Sequence, residues 1–429
     1  MENKPSLLSQ IFSRNMLLCI FTGFSSGLPL YVLFQLVPAW LSSSEVDVKT
    51  IGFFTLIGFP YTWKFIISPL LDRYYPRFLG RRRSWMFLTQ IGLLALLALL
   101  GQYNPVEDIQ TVAVLSTLIA VFSAVQDIVI DAYRREILSD EELGLGNSIH
   151  VNAYRISGLI PGGLALILAD SMPWDMVFIF TALFMIPGLI LSLFLSKEPN
   201  VPQIDRSLPF YHTFALPFKE FFTRKGVASA LGLILFLFLY KFGDSLATSL
   251  QTKFILDMGF SKTDIGTVVK LNSLWASIIS GMIGGILMLR LGINRALWIF
   301  GFVQLITILG FVWMASYGKF ETIEWYERFV LTVVIIGEYI GVGLGTAAFV
   351  AFMAKETNPR YTATQLAIFT SLAAIPSKVF SAFSGVIVAN YGYYMFFWIC
   401  FFAAIPGMLM LFKVAPWHAE NTTAVQKSA

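Results

Sequence analysis

Apolar runs of roughly 20 residues or more recur twelve times along this chain, six and then six, and this constrains its fold more than any other feature. They lie at approximately 15–41, 50–71, 84–103, 109–133, 146–169 and 175–196, then at 226–252, 263–289, 294–316, 327–352, 362–388 and 392–413. At about 1.5 Å per residue, each is long enough to cross ~30 Å of hydrocarbon as a helix. The composition supports lipid as the solvent: 56% of the residues are hydrophobic, 40 are Phe and only 13% are charged, where soluble proteins carry about a quarter. Gly27, Pro29, Pro60, Pro161, Pro187 and Pro376 fall inside the runs, and membrane helices tolerate such residues because neighbouring groups satisfy the freed backbone. The expectation is an all-α membrane protein with twelve transmembrane helices.

Net charge is +4 and no like-charge run exceeds the three arginines at 81–83, so nothing points to a nucleic-acid partner. Cys19 and Cys400 sit in apolar runs, away from the electropositive, partly wet setting that thiolate chemistry needs. His150, His212 and His418 show no ligand spacing, so neither a metal site nor a cofactor is expected. The run after Arg14 is too long for the apolar core of a cleavable signal and has no small-residue cleavage pattern; it reads as a first span that stays.

Loop charges set the orientation. With the N-terminus in the cytoplasm, twenty Lys and Arg fall in inside segments and five in outside segments, so both termini are expected to be cytoplasmic. The segment 197–225, rich in proline and charge, separates a first six-helix bundle (1–196) from a second (226–413), with 414–429 as a tail. Its apolar and charged residues also predict a short helix on the membrane surface. The halves look related. VDVKTIGFF (46–54) resembles SKTDIGTVV (261–269), and DRYYPRFLGRRRSW has a worn counterpart in LRLGINRALW. Two pseudo-symmetric bundles in the same orientation are a parallel duplication, with a site expected between them near the midplane.

SPLLDRYYPRFLGRRR (68–83) resembles the loop signature of the major facilitator superfamily, G-x-x-x-D-R-x-G-R-R. Asp72, Arg73, Gly80, Arg81 and Arg82 match, Ser68 replaces the leading Gly, and the loop is longer before Gly80. Two readings stand. The arginines are topology determinants, or Asp72 is a charge latch that accepts from a helix N-terminus or from arginines of the other half and favours the outward-open state. Arg135 and Glu136 belong with the same cytoplasmic gate.

A narrower resemblance follows. GFSSGLPL (23–30), KTIGFFTLIGFPYTWKFIISPLLDRY (49–74), FLGRRRSW (78–85) and SAVQDIVIDAYRREIL (123–138) together look like the AmpG-type muropeptide permeases. The match is dense over about 20–165 and thin in the second half. Some family members carry extra C-terminal spans, whereas this chain stops after twelve. The resemblance implies proton-driven import of N-acetylglucosaminyl-1,6-anhydro-N-acetylmuramyl peptides from periplasm to cytoplasm, across the bacterial inner membrane. Its partners are then the anhydro-muropeptide, protons and the lipid bilayer, and the chain is expected to act as a monomer.

A charge at the centre of a span costs roughly 2.5–3.5 kcal/mol on insertion scales, so such residues face a cavity or a partner. Asp127 lies ~10 Å from the inner end of the fourth run, and Lys64 and Arg155 come out at a similar depth. Ser123, Asp127, Asp131 and Arg135 follow i, i+4 spacing and form one stripe. Asp127 either pairs permanently with Arg155 or Lys64, or carries a proton whose release depends on access to water. Asp131, nearer the cytoplasm, either handles protons or makes a local ion pair with Arg135. In the second half, Lys241, Asp244, Asn272, Glu338 and Lys378 lie inside runs. Glu338 either couples protons or pairs with Lys378 or Lys241. The cations Lys64, Arg155, Lys241 and Lys378 suit the carboxylates of a glycopeptide, while Gln126, Tyr154 and Asn272, with Asp244, suit its polar groups. Trp63 and Trp275 either stack on sugar rings or pack at the interface. Rival functions are a superfamily carrier for another sugar, peptide or drug, a transporter-like sensor, and a membrane enzyme. The short outer loops, free of His and Cys, disfavour the enzyme.

Overall fold

The computed structural model describes residues 11–44, 46, 54–76, 78–200 and 210–417, with only the backbone at 55, 56, 262, 376–379, 381 and 382. Among these residues every regular element is helical. The principal helices are α1 (Arg14–Ser43), α2 (Lys64–Arg73), α3 (Arg81–Leu100), α4 (Ile109–Ile137), α5 (Leu143–Ala169), α6 (Trp174–Leu195) and α7 (His212–Lys225). They continue with α8 (Val227–Asp257), α9 (Ile265–Leu291), α10 (Ile293–Ser316), α11 (Trp325–Lys355) and α12 (Thr362–Val414).

Among the described residues, ten helices are long and apolar enough to cross a membrane. The other two expected spans are not among them. The second is broken into a 3₁₀ turn at Thr55–Gly58, one helical turn at Phe59–Thr62, and α2, with Trp63 between the last two. The eleventh runs unbroken into the twelfth as the 53 residues of α12, with a reversal only at Gly392 (φ 74°, ψ 170°). At about 1.5 Å per residue those 53 residues exceed twice the hydrocarbon thickness, which is length enough for two crossings. The expected linker helix is α7. The repeat segment 46–54 lies almost wholly outside the described residues.

The helices start where local chemistry satisfies their orphan donors. Ser13 Oγ accepts from Met16 N at α1. Before α9, Ser261 and Asp264 cap each other: Asp264 N donates to Ser261 Oγ at 3.1 Å, and Ser261 N donates to Asp264 Oδ2 at 3.0 Å. Burial alone would raise the Asp264 carboxyl, but hydrogen bonds from Ser261 and the Arg328 guanidinium hold it below the usual carboxylate range.

The chain forms two compact units. The first comprises Met1–Ser139, Ile149–Phe218 and Thr357–Ile368; the second comprises Asp140–Ser148, Lys219–Glu356 and Phe369–Ala429. The first has a core of Leu28, Val32, Leu36, Leu97, Ile119 and Phe178, in which Trp40 meets Phe178 edge-on at 4.9 Å. The core of the second is aromatic: Phe254 packs edge-on against Phe397 at 4.8 Å, which stacks on Phe311 at 5.0 Å. Large apolar side chains also point outward, among them Phe194, Phe302 and Phe412. In water such a surface would aggregate; in a bilayer it faces lipid.

Candidate functional site

In the first unit, close helix packing brings the hydroxyls of FSSG onto α4. Gly23 and Gly27 are one turn apart on α1 and meet α5 at backbone distance. A Cβ on Gly23 would stand 2.2 Å from the His150 carbonyl oxygen, and one on Gly27 would stand 2.5 Å from that of Tyr154. This is small-residue packing of the kind membrane helices use. It places Ser25 and Ser26 against Gln126 and Asp127. Gln126 Nε2 donates to the Ser25 carbonyl at 2.6 Å, and Ser26 Oγ donates to Asp127 Oδ1 at 2.5 Å.

Lys64, at the start of α2, donates to Asp127 Oδ2 at 3.2 Å and stands 3.8 Å from Asp131. Lys64, one of the two cations weighed as partners of Asp127, thus holds it; Arg155 is half-buried on α5 and has interactions of its own. The break at Trp63 is what starts α2 at Lys64. Asp131 pairs with Arg134 at i+3 and 2.8 Å, where the i, i+4 stripe pointed to Arg135. Near its C-terminal end, α4 turns the buried Arg134 back toward the carboxylate, and Arg135 is half-buried. Tyr154 lies edge-on to Tyr31 at 5.7 Å. Gln126 Oε1, Ser123 Oγ and Tyr61 Oη are buried atoms without a hydrogen-bond partner among the described residues, so this cluster keeps unused polar capacity.

The signature loop forms a second, drier cluster in the same unit. Arg82 is fully buried and bridges Asp72 at 2.8 Å and Glu136 at 2.6 Å; Arg81 adds a bond to Glu136 at 2.9 Å. Asp72 Oδ2 accepts from the backbone N of Thr364 at 3.0 Å and from its hydroxyl at 2.8 Å. Thr364 lies in the first turn of α12, where N–H groups lack helical partners. Asp72 therefore accepts from a helix N-terminus, as expected, but its arginine comes from its own loop rather than from the other half. Arg73 donates to Thr213 Oγ1 at 2.6 Å. Gly80 holds φ 102° and turns the chain into α3, where Glu198 accepts from the backbone N of Arg82 at 2.9 Å.

In the second unit, Lys241 pairs with Asp244 at 2.8 Å and donates to Gln304 Oε1 at 2.9 Å. Glu338 is fully buried on α11, and neither of its oxygens has a hydrogen-bond partner among the described residues. Asn272 bonds its own helix, donating to Val268 O at 2.7 Å. The Lys378 side chain lies outside the described residues. Trp63 and Trp275 are largely exposed, and Trp63 stacks on Phe59 and Phe65.

Ser26, Glu198, Gln304 and Thr364 were not singled out in the sequence, whereas Glu136 was read with the cytoplasmic gate. Ser26 lies inside a quoted motif, and Gln304 is a lone amide in an apolar run, so each left a signal. Thr364 left none, because its role depends on which segment folds against Asp72. No group of side chains with metal-ligand geometry occurs among the described residues.

Comparison with known proteins fits this architecture. The sequence profile of the Major Facilitator Superfamily matches residues 19–380. An uncharacterised protein of Haemophilus influenzae is 61% identical over 97% of this chain and 98% of its own length. The anhydromuropeptide permease of Escherichia coli K12 is 37% identical over 91% of this chain and 77% of its own length. Among solved structures, the human organic anion transporter MFSD10 (TETRAN) superposes with a TM-score of 0.67, over 95% of this chain and all of its own, at 16% identity; this speaks to fold alone. With that profile spanning most of the chain and an E. coli permease sharing over a third of its residues, the chain belongs to the Major Facilitator Superfamily and, within it, to the AmpG-type permeases: it is a multi-pass membrane transporter and not an enzyme.

Proposed function

We propose that this transporter imports anhydro-muropeptides, N-acetylglucosaminyl-1,6-anhydro-N-acetylmuramic acid with or without peptide, by proton symport from periplasm to cytoplasm for peptidoglycan recycling. It does so as a monomer in the bacterial inner membrane, with both termini in the cytoplasm. The observation that carries the reading is the 37% identity to the E. coli anhydromuropeptide permease over 91% of this chain. The polar clusters support it. A glycopeptide offers hydroxyls, amides and carboxylates, and Gln126, Tyr154 and Arg155, with Lys64, Lys241, Asp244, Asn272 and Lys378, supply complementary groups. Asp127, Asp131 and Glu338 couple transport to protons. The Asp72–Arg82–Glu136 cluster, with Arg73, Gly80, Arg81 and Arg135, forms the cytoplasmic gate. Release of Thr364 from Asp72 is one step of gate opening.

The driving force is adequate, since a proton moving down ~100 mV releases about 2.3 kcal/mol. The test is uptake of labelled anhydro-muropeptide into proteoliposomes holding the purified protein. Accumulation above the external concentration, only with an inward proton gradient, is expected. Equal uptake with and without the gradient defeats symport. No uptake, together with transport of an unrelated sugar or peptide, defeats the cargo assignment.

A further inference from the structure

Glu338 sits fully buried in the second unit. Among the described residues, the titratable and charged groups near it are Asp244 and Lys241 on α8 and Cys400 on α12, with Tyr240 near Asp244 and the Thr307 hydroxyl of α10 also close. Lys241 is already engaged by Asp244 and Gln304. Asp244 is itself buried, and its Oδ1 has no hydrogen-bond partner among the described residues. Among the described residues the cluster thus holds one ammonium, the carboxylate that pairs with it, and a second carboxyl with no ion-pair partner of its own. A bare carboxylate there is uncompensated, whereas a carboxylic acid is not. Asp127 in the first unit is different: Ser26 and Lys64 engage both of its oxygens.

We propose that Glu338 and Asp244 form a proton site of their own in the second unit, with Lys241 as the counter-cation among the described residues. Asp244 holds Lys241 in the structure, and in the proposed resting state Glu338 carries the proton. When water reaches the site, Glu338 gives up its proton to it and becomes a carboxylate, and Lys241 is then the cation within reach of both carboxylates. Proton load is carried here and not only at Asp127. The inference deepens the transport reading and rests on it for its function, though the site can be detected without cargo.

The test has two arms on the full-length protein in lipid. Infrared difference spectroscopy should show a protonated-carboxyl C=O band at neutral pH that shifts in deuterated water and disappears as pH rises. The band should be absent from Glu338→Gln, retained in Glu338→Asp and retained in Asp127→Asn. A wild-type protein without the band, or a band unchanged in Glu338→Gln, overturns the proposal. In proteoliposomes, Glu338→Gln should let labelled anhydro-muropeptide equilibrate but not accumulate. Wild-type accumulation by that variant also overturns it. If wild-type protein takes up no anhydro-muropeptide, the cargo reading fails, and the infrared arm still decides the proton site.

Discussion

Asp127 and Asp131 stand one turn apart on α4; Lys64 reaches both, and their other partners differ. Asp127 takes a serine hydroxyl and Lys64, in a setting with unused hydrogen-bonding atoms nearby. Asp131 takes Arg134 from its own helix. Asp127→Asn should therefore abolish proton-driven accumulation with little change in expression or in detergent melting midpoint. Undiminished uphill uptake would remove Asp127 from the coupling machinery. Lys241→Gln should raise the half-saturating anhydro-muropeptide concentration about tenfold or more, near 1.4 kcal/mol of lost binding. An unchanged value would mean that Lys241 serves only Asp244 and Gln304. At Gly80 the cause is backbone geometry. Its φ of 102° disfavours any Cβ, and an added one would come 2.7 Å from the Glu198 carboxylate that caps α3. Gly80→Ala should cost about 1–3 kcal/mol, visible as a shorter half-life of the purified protein at elevated temperature.

At the scale of elements, the sequence showed length and missed breaks. Hydropathy reported the second span as one run because Trp63 is as apolar as its neighbours. The structure interrupts the helix there, and the interruption brings Lys64 to Asp127. Hydropathy divided α12 into two runs, whereas the backbone joins them through one residue. Capping was not read: SKTD before α9 was compared only with its repeat, and it is a reciprocal Ser–Asp cap with Arg328 added. Because the folded Asp264 carboxyl is held below its unfolded value of roughly 3.9, its contribution is present at neutral pH. That contribution fades as pH falls below that value and through the folded one. Asp264→Asn should lower the melting midpoint at pH 7 by an amount equivalent to ~0.5–1 kcal/mol, and the gap from wild type should close in acid. A gap independent of pH would assign the effect to packing.

For the molecule as a whole, the all-helical class, the membrane solvent and the family were legible. They rest on residue counts, run lengths and four motifs, all local properties of the chain. Most long-range pairings were not. Asp72 with Thr364, Gln304 with Lys241 and Gly23 with the His150 carbonyl join residues from distant parts of the chain. The residue types needed for such pairs are common, so spacing does not single them out.

Gly392 leaves the two stretches of α12 no slack. A connection of several residues would let one stretch tilt while the other stayed still. A single-residue joint confines the change of direction to one pair of backbone dihedrals, which glycine can adopt without strain. The stretch that carries Lys378 ends at this joint, and the stretch beyond it carries Cys400, whose carbonyl oxygen would lie 2.5 Å from a Cβ on Gly243, beside Asp244. The stretch beyond the joint is therefore packed against the backbone next to the Lys241–Asp244 pair.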